Sequence, residues 1–193
     1  MSEAGSIELP RELIRKIGIL KEKPSLEAET QPNPWKDATP EEWDDWRWQL
    51  KHRITKAEQL KLILNLSPEE IEAIEASWGK LPMAITPYFA KLMDRNDSHC
   101  PIRRQAIPTM QEFHLSPHDL LDPCAEDANS PVQGLCHRYP DRALLLVTDK
   151  CAVYCRYCTR RRMVGTSERC LSEEALSQAI AYIQRTRKLR DIL

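Results

Sequence analysis

Three cysteines, Cys151, Cys155 and Cys158, fall within eight positions of the stretch DKCAVYCRYCTRRR, residues 149–162. Thiolates are the usual ligands of iron-sulfur clusters, and four of them normally hold a 4Fe-4S cube. Three would leave one iron open to an outside ligand, which makes a reactive centre rather than an electron wire. Arg160, Arg161 and Arg162 follow at once, and guanidinium groups beside such a centre would hold anionic ligands through charge-assisted hydrogen bonds. The alternative is a zinc knuckle completed by Cys136, His137 or Cys170. Zinc favours paired Cys-x2-Cys units, and of the three only Cys155 and Cys158 are so spaced.

The elements around the loop agree with a reactive site. Ala143 to Thr148, ALLLVT, is a short apolar run suited to a strand buried on both faces. The cysteines follow its carboxyl end, where α/β folds place their active sites. Beyond them Ser172 can cap a helix whose Leu176, Ile180 and Ile183 share one face, and Asp191-Ile192-Leu193 reads as the opening of a further strand. One β-loop-α unit followed by another strand predicts a parallel sheet or barrel.

Upstream the pattern is helical. Thr39-Pro40, Ser67-Pro68, Thr86-Pro87 and Ser116-Pro117 each set a hydroxyl before a proline, and Glu42 and Glu70 can complete capping boxes. Several short helices are expected over 39–122, with Trp43, Trp46 and Leu50 as an apolar stripe. Residues 1–38, with prolines at 10, 24, 32 and 34 and little periodicity, read as an extended or mobile arm. The expected organisation is therefore an arm over 1–38, a helical region over 39–137, and from 138 to 193 the start of an α/β barrel with its cysteine loop.

The 193 residues can bury a substantial core. No apolar run approaches a membrane span, and the acids in MSEAGSIELPRELIRK are foreign to a signal or transit peptide. A cytoplasmic protein is expected, in which seven clustered and odd-numbered cysteines suit metal or redox chemistry better than disulfides. The net charge of -1 hides an asymmetry, since residues 138–193 carry 12 Lys+Arg against 6 Asp+Glu. That third should attract anions. Nucleic acid is not expected, because no aromatic platform or extended basic stripe accompanies the arginines. His114 and His118 are separated by Pro117 and cannot share a continuous helix face.

Five blocks, WDDWRWQLKHRI (43–54), MAITPYFAKLMD (83–94), RRQAIPT (103–109), DANSPVQGLCHRYPDRALLLVTDKC (127–151) and YCRYCTRRRMVG (154–165), together resemble the lysine 2,3-aminomutase family of the radical S-adenosylmethionine superfamily. The resemblance implies a partial (β/α) barrel and an isomerase that converts L-lysine to L-β-lysine by a 1,2-amino migration. It implies three cofactors: a 4Fe-4S cluster, S-adenosylmethionine bound to the open iron as the radical source, and pyridoxal 5'-phosphate. Carried over by position, Cys151, Cys155 and Cys158 would hold the cluster. Tyr157 would lie by the adenine, Arg138, Tyr139 and Arg142 near the pyridoxal phosphate group, and Arg160 against the substrate carboxylate. An electron donor such as flavodoxin or ferredoxin, and a homo-oligomer, would complete the assembly.

By the same resemblance, the lysine that forms the internal imine, the acids that recognise the distal amine and the glycine-rich cofactor segment would lie beyond Leu193. A full barrel needs ~250 residues. This chain is therefore expected to be inactive alone and to need a complementing C-terminal polypeptide. Two further readings stand beside the mutase: a non-catalytic remnant or metal-binding module, and an aminomutase acting on glutamate, arginine or a protein-bound lysine.

Overall fold

A computed structural model describes residues 33–165 and 168–193. The expected arm over 1–38 lies, up to residue 32, outside the described residues. Its last positions form a turn, with Ala38 donating to Trp35 O at 3.1 Å. The Trp35 ring rests 6.2 Å from Trp43 and packs against the core.

Hydroxyl-proline pairs start three short helices: α1 (Pro40–Asp44), α4 (Pro68–Ala76) and α5 (Pro87–Lys91). The capping boxes Thr39/Glu42 and Ser67/Glu70 are both formed. Between them lie α2 (Trp46–Lys51) and α3 (Ala57–Lys61), and α6 (Pro101–Ala106) follows Cys100. Ser116-Pro117 starts only a turn, in which Ser116 N donates to Asp119 Oδ2 at 2.8 Å and Asp119 N to Ser116 O at 3.0 Å. The Ser116 hydroxyl accepts from His118 N, two residues on, at 3.3 Å, whereas the Ser67 hydroxyl accepts from the third residue, so a local turn closes in place of a helix cap.

The expected Trp43-Trp46-Leu50 stripe does not pack into the core; its three side chains line an open cavity instead. Asp45 ends α1 and caps α2, which breaks the 3.6-residue period and leaves Trp46 60% exposed. Trp43 instead tilts against Trp35 and Trp48.

These helices enclose one apolar cluster centred on Leu60, Ile74 and Ile85, each at most 1% exposed. Each such side chain contributes about 1.5–3 kcal/mol through burial. A two-residue bridge between Ile54 and Ile85, with bonds of 2.7 and 3.0 Å, ties the end of α2 to the segment before α5. Beside it lies Arg103, 1% exposed. Its guanidinium grips both Glu70 oxygens at 2.9 and 2.6 Å and donates to the carbonyls of Asn65, Asp94 and Arg95.

The remaining elements form a three-stranded mixed sheet. Strand β1 (Leu135–Tyr139) pairs antiparallel with β2 (Arg142–Leu145), and β2 pairs parallel with β3 (Asp191–Ile192). Helix α7 (Glu173–Arg185) links the last two, capped by Ser172 as expected. The parallel pair is the predicted one. The antiparallel β1 is not, and it opens at Leu135, before the expected boundary at 138.

Two details differ from expectation. The strand ends at Leu145 and is not buried on both faces: Ala143 is buried, Leu144 to Leu146 are half-buried and Val147 is 53% exposed. Helix α7 covers one face only. That helix docks through Ala175, Ala179, Tyr182 and Ile183, leaving Ile180 45% exposed. Small alanines let the helix approach the sheet closely, so the contact stripe lies rotated from the one that hydropathy marks.

Candidate functional site

The cysteine loop leaves β2 through Val147 and Thr148, which pair with Leu171 and Cys170 on the returning chain. Several bonds to the helical region pin it. Tyr154 N donates to Ala84 O at 2.9 Å and Arg156 N to Gln105 O at 2.8 Å. The Arg156 side chain, 7% exposed, points inward between Cys155 and Cys158 in sequence. It meets both Glu112 oxygens at 2.8–3.1 Å and the carbonyls of Leu81 and Pro82. Gly165 closes the turn at φ +84, where a Cβ would stand 3.0 Å from Pro82 and 3.1 Å from the Tyr154 ring. Both the backbone angle and the space call for glycine.

All seven cysteines are free thiols, with Cys151 exposed and Cys155 and Cys158 half-buried. Burial first, then the neighbouring Cys158 sulfur, pushes the thiols of Cys151 and Cys155 up from their ordinary range, with Arg53 partly opposing at Cys151. Ligation of a cationic centre would replace the repulsion felt at Cys151 and Cys155 by attraction. Among the described residues no three His, Cys, Asp or Glu side chains stand together as a site for a single metal ion. Of the zinc partners considered above, Cys136 is buried in β1, and the other two have neighbours of their own. His137 Nδ1 lies 2.8 Å from Tyr182 Oη on the helix side of the sheet, and Cys170 faces Thr148.

The three arginines after the last cysteine divide. Arg160 and Arg162 turn to an acidic segment, 122–127. Glu126 is 5% exposed, and its Oε1 receives Arg160 Nε at 2.8 Å and Nη2 at 2.6 Å. Arg162 reaches Asp127 at 2.8 Å and Asp122 at 3.4 Å. Arg161 instead donates to Arg156 O at 2.7 Å. The Glu126 contact uses the Nε/Nη2 edge of Arg160 and leaves the Nη1/Nη2 end as a fork that suits a second carboxylate.

Tyr157 is 67% exposed, its hydroxyl 3.2 Å from Gln105 Oε1. Arg138, Tyr139 and Arg142 gather at the β1–β2 turn, with the guanidinium carbons 5.9 and 5.7 Å from the Tyr139 ring centroid. Arg138 also donates to Cys124 O, and Arg142 pairs with Asp141. This group sits at the amino end of β2 and the cysteines lie past its carboxyl end, so the two groups are not adjacent along the strand. A cavity of about 520 Å³ opens beside the loop, walled by Trp43, Trp46, Tyr88, Lys150 and Ala152. Tyr157 and Arg160 are not among its walls.

Sequence reasoning missed Arg53, Arg156 and Glu126. Each is a charged residue buried against a partner 34 or more positions away, and no local period marks such a pair. Position 156 was visible only as the residue after Cys155.

No family model matches the chain. Individual proteins do. The L-lysine 2,3-aminomutase of Fusobacterium nucleatum is 53% identical over 157 residues, 81% of this chain and 37% of that protein. That of Bacillus subtilis is 48% identical over 159 residues, 82% of this chain and 34% of the relative. The glutamate 2,3-aminomutase of Clostridioides difficile is 37% identical over 157 residues, again 81% of this chain and 37% of the relative. The matched part of this chain thus spans little more than a third of the length of these curated relatives. Identity near one half across four-fifths of the residues places the chain in the lysine 2,3-aminomutase family.

Proposed function

We propose that the chain forms the cluster-binding part of a radical S-adenosylmethionine aminomutase, with Cys151, Cys155 and Cys158 as the ligands of a 4Fe-4S cluster. The observation that carries this reading is one loop holding three free thiols, pinned at Tyr154 and Arg156, in a chain akin to aminomutases. The raised thiols of Cys151 and Cys155 fit a cationic cluster. When bound, the cluster with S-adenosylmethionine supplies a one-electron route to a carbon radical, and pyridoxal phosphate supplies a group on which an amine can migrate.

The chain's own residues bind and orient. Arg160, oriented by Glu126, would receive the carboxylate of the amino acid through its outer fork. Arg138, Tyr139 and Arg142 would hold the phosphate dianion, two guanidinium groups flanking one ring. Tyr157 would lie against the adenosine part of the sulfonium cofactor. L-Lysine is the favoured substrate, since the L-lysine 2,3-aminomutases of Fusobacterium nucleatum and Bacillus subtilis are 53% and 48% identical to this chain and the glutamate 2,3-aminomutase 37%. Among the described residues no helix is long and apolar enough to cross a membrane.

Anaerobic reconstitution with iron and sulfide tests the reading. The expected result is broad absorbance near 400 nm and, on reduction, an EPR signal that changes when S-adenosylmethionine is added; both should vanish in Cys151→Ala. Iron-free chain that instead takes up zinc tightly would sink it.

A further inference from the structure

The loop's two ends are joined by a residue from another part of the molecule. Arg53 follows α2 and precedes the Ile54–Ile85 bridge, so its backbone is fixed in the helical core. Its side chain is 10% exposed. Nη1 donates to Cys151 O at 2.9 Å, where the loop opens, and approaches Tyr154 Oη at 3.5 Å. Nη2 donates to Glu168 Oε1 at 2.6 Å, where the loop closes. Nε donates back to Leu50 O at 3.2 Å. Tyr154 also donates its hydroxyl to the same Glu168 oxygen, and Lys150 Nζ stands 3.7 Å from the other.

We propose that Arg53 is the positioning residue of the cysteine loop: one guanidinium ties the carbonyl of Cys151 to the carboxylate of Glu168 and so holds the three thiols in a fixed arrangement before any cluster arrives. The inference rests on the reading of the cysteines as cluster ligands. Every nitrogen of the guanidinium is used, and in three different directions. A planar fork can do this and an ammonium cannot, because lysine offers one donor centre on a flexible stem. Anchorage in the helical core matters too, since it adds a polar tie at the two ends of a loop whose middle is held by the packing of Val153, Tyr154 and Val164. Glu168 completes the clamp with φ +47, a left-handed conformation that a glutamate adopts only under constraint.

The test compares the 193-residue chain with Arg53→Met, Arg53→Lys and Glu168→Gln by amide hydrogen exchange and by anaerobic cluster loading. In Arg53→Met, exchange at residues 151–158 should accelerate at least tenfold while the amides of Leu60 to Leu64 hold within twofold. The reconstituted cluster should be lost to a chelator several times faster. Arg53→Lys should fall short of rescue, and Glu168→Gln should show the smaller change of losing one end. If Arg53→Met loses its helical circular dichroism, Glu168→Gln decides alone. Unchanged exchange and cluster loss in a wild type that does load iron would overturn the inference and spare the cluster reading. A wild type that takes up no iron would overturn the cluster reading itself.

Discussion

Breaking the Arg156–Glu112 pair should destabilise the chain sharply, whereas replacing both partners with apolar residues should not. The guanidinium side chain is 7% exposed and the carboxylate 15%, so the pair belongs with buried rather than surface ion pairs. At the 2.8 Å separation and an effective dielectric constant of about 20, the Coulomb attraction is roughly 6 kcal/mol. Desolvation of two ions offsets most of that, and the net worth of such a pair is small. Glu112→Leu removes the attraction and leaves the buried Arg156 cation with only the Leu81 and Pro82 carbonyls. The expected cost is about 3–5 kcal/mol. For a chain of this size that is a fall in Tm of roughly 6–20 °C, with a matching drop in the urea midpoint at constant slope. Arg156→Met combined with Glu112→Leu should recover most of the loss, because no unpaired charge remains. A double variant whose loss equals the sum of the single losses, or a single variant that costs under ~1 kcal/mol, would refute the assignment of this pair as a buried and coupled one.

Arg103→Met, which takes the guanidinium away from Glu70 and from three carbonyls, should cost about 3–5 kcal/mol in urea denaturation. Gly165→Ala forces a β-carbon into φ +84 against Pro82 and Tyr154, and should cost about 2 kcal/mol, with loosening read as faster exchange confined to the loop. Burial pushes the Glu168 carboxyl up, but the Tyr154 hydroxyl and Arg53 outweigh it and hold it below its usual value. A depressed carboxylate contributes stability that is present above the unfolded value near pH 4 and is lost as pH falls through the folded one. Exchange protection of the loop should therefore persist at neutral pH and fade in acid, and Glu168→Gln should abolish that dependence.

Local chemistry made the helical half readable. A hydroxyl, a proline and an acid three residues on satisfy the first donors of a helix without help from elsewhere, and Thr39 and Ser67 do so as expected. Ser116 has the same opening, yet its hydroxyl is taken by His118 N two residues on and only a turn forms. Trp43, Trp46 and Leu50 show the same limit, since a single capping aspartate between two short helices defeats a period that spans both.

Covalent spacing and residue type by themselves determined that three thiols share one loop after a strand, that basic groups follow them, and that Ser172 opens a helix. These are statements about neighbours along the chain. Tertiary structure alone decided which arginine does what: Arg160 faces Glu126, Arg161 props Arg156, and Arg53 closes the loop from 98 positions away. A buried guanidinium needs a carboxylate or carbonyls wherever the fold can bring them, and that need leaves no periodic mark in the sequence.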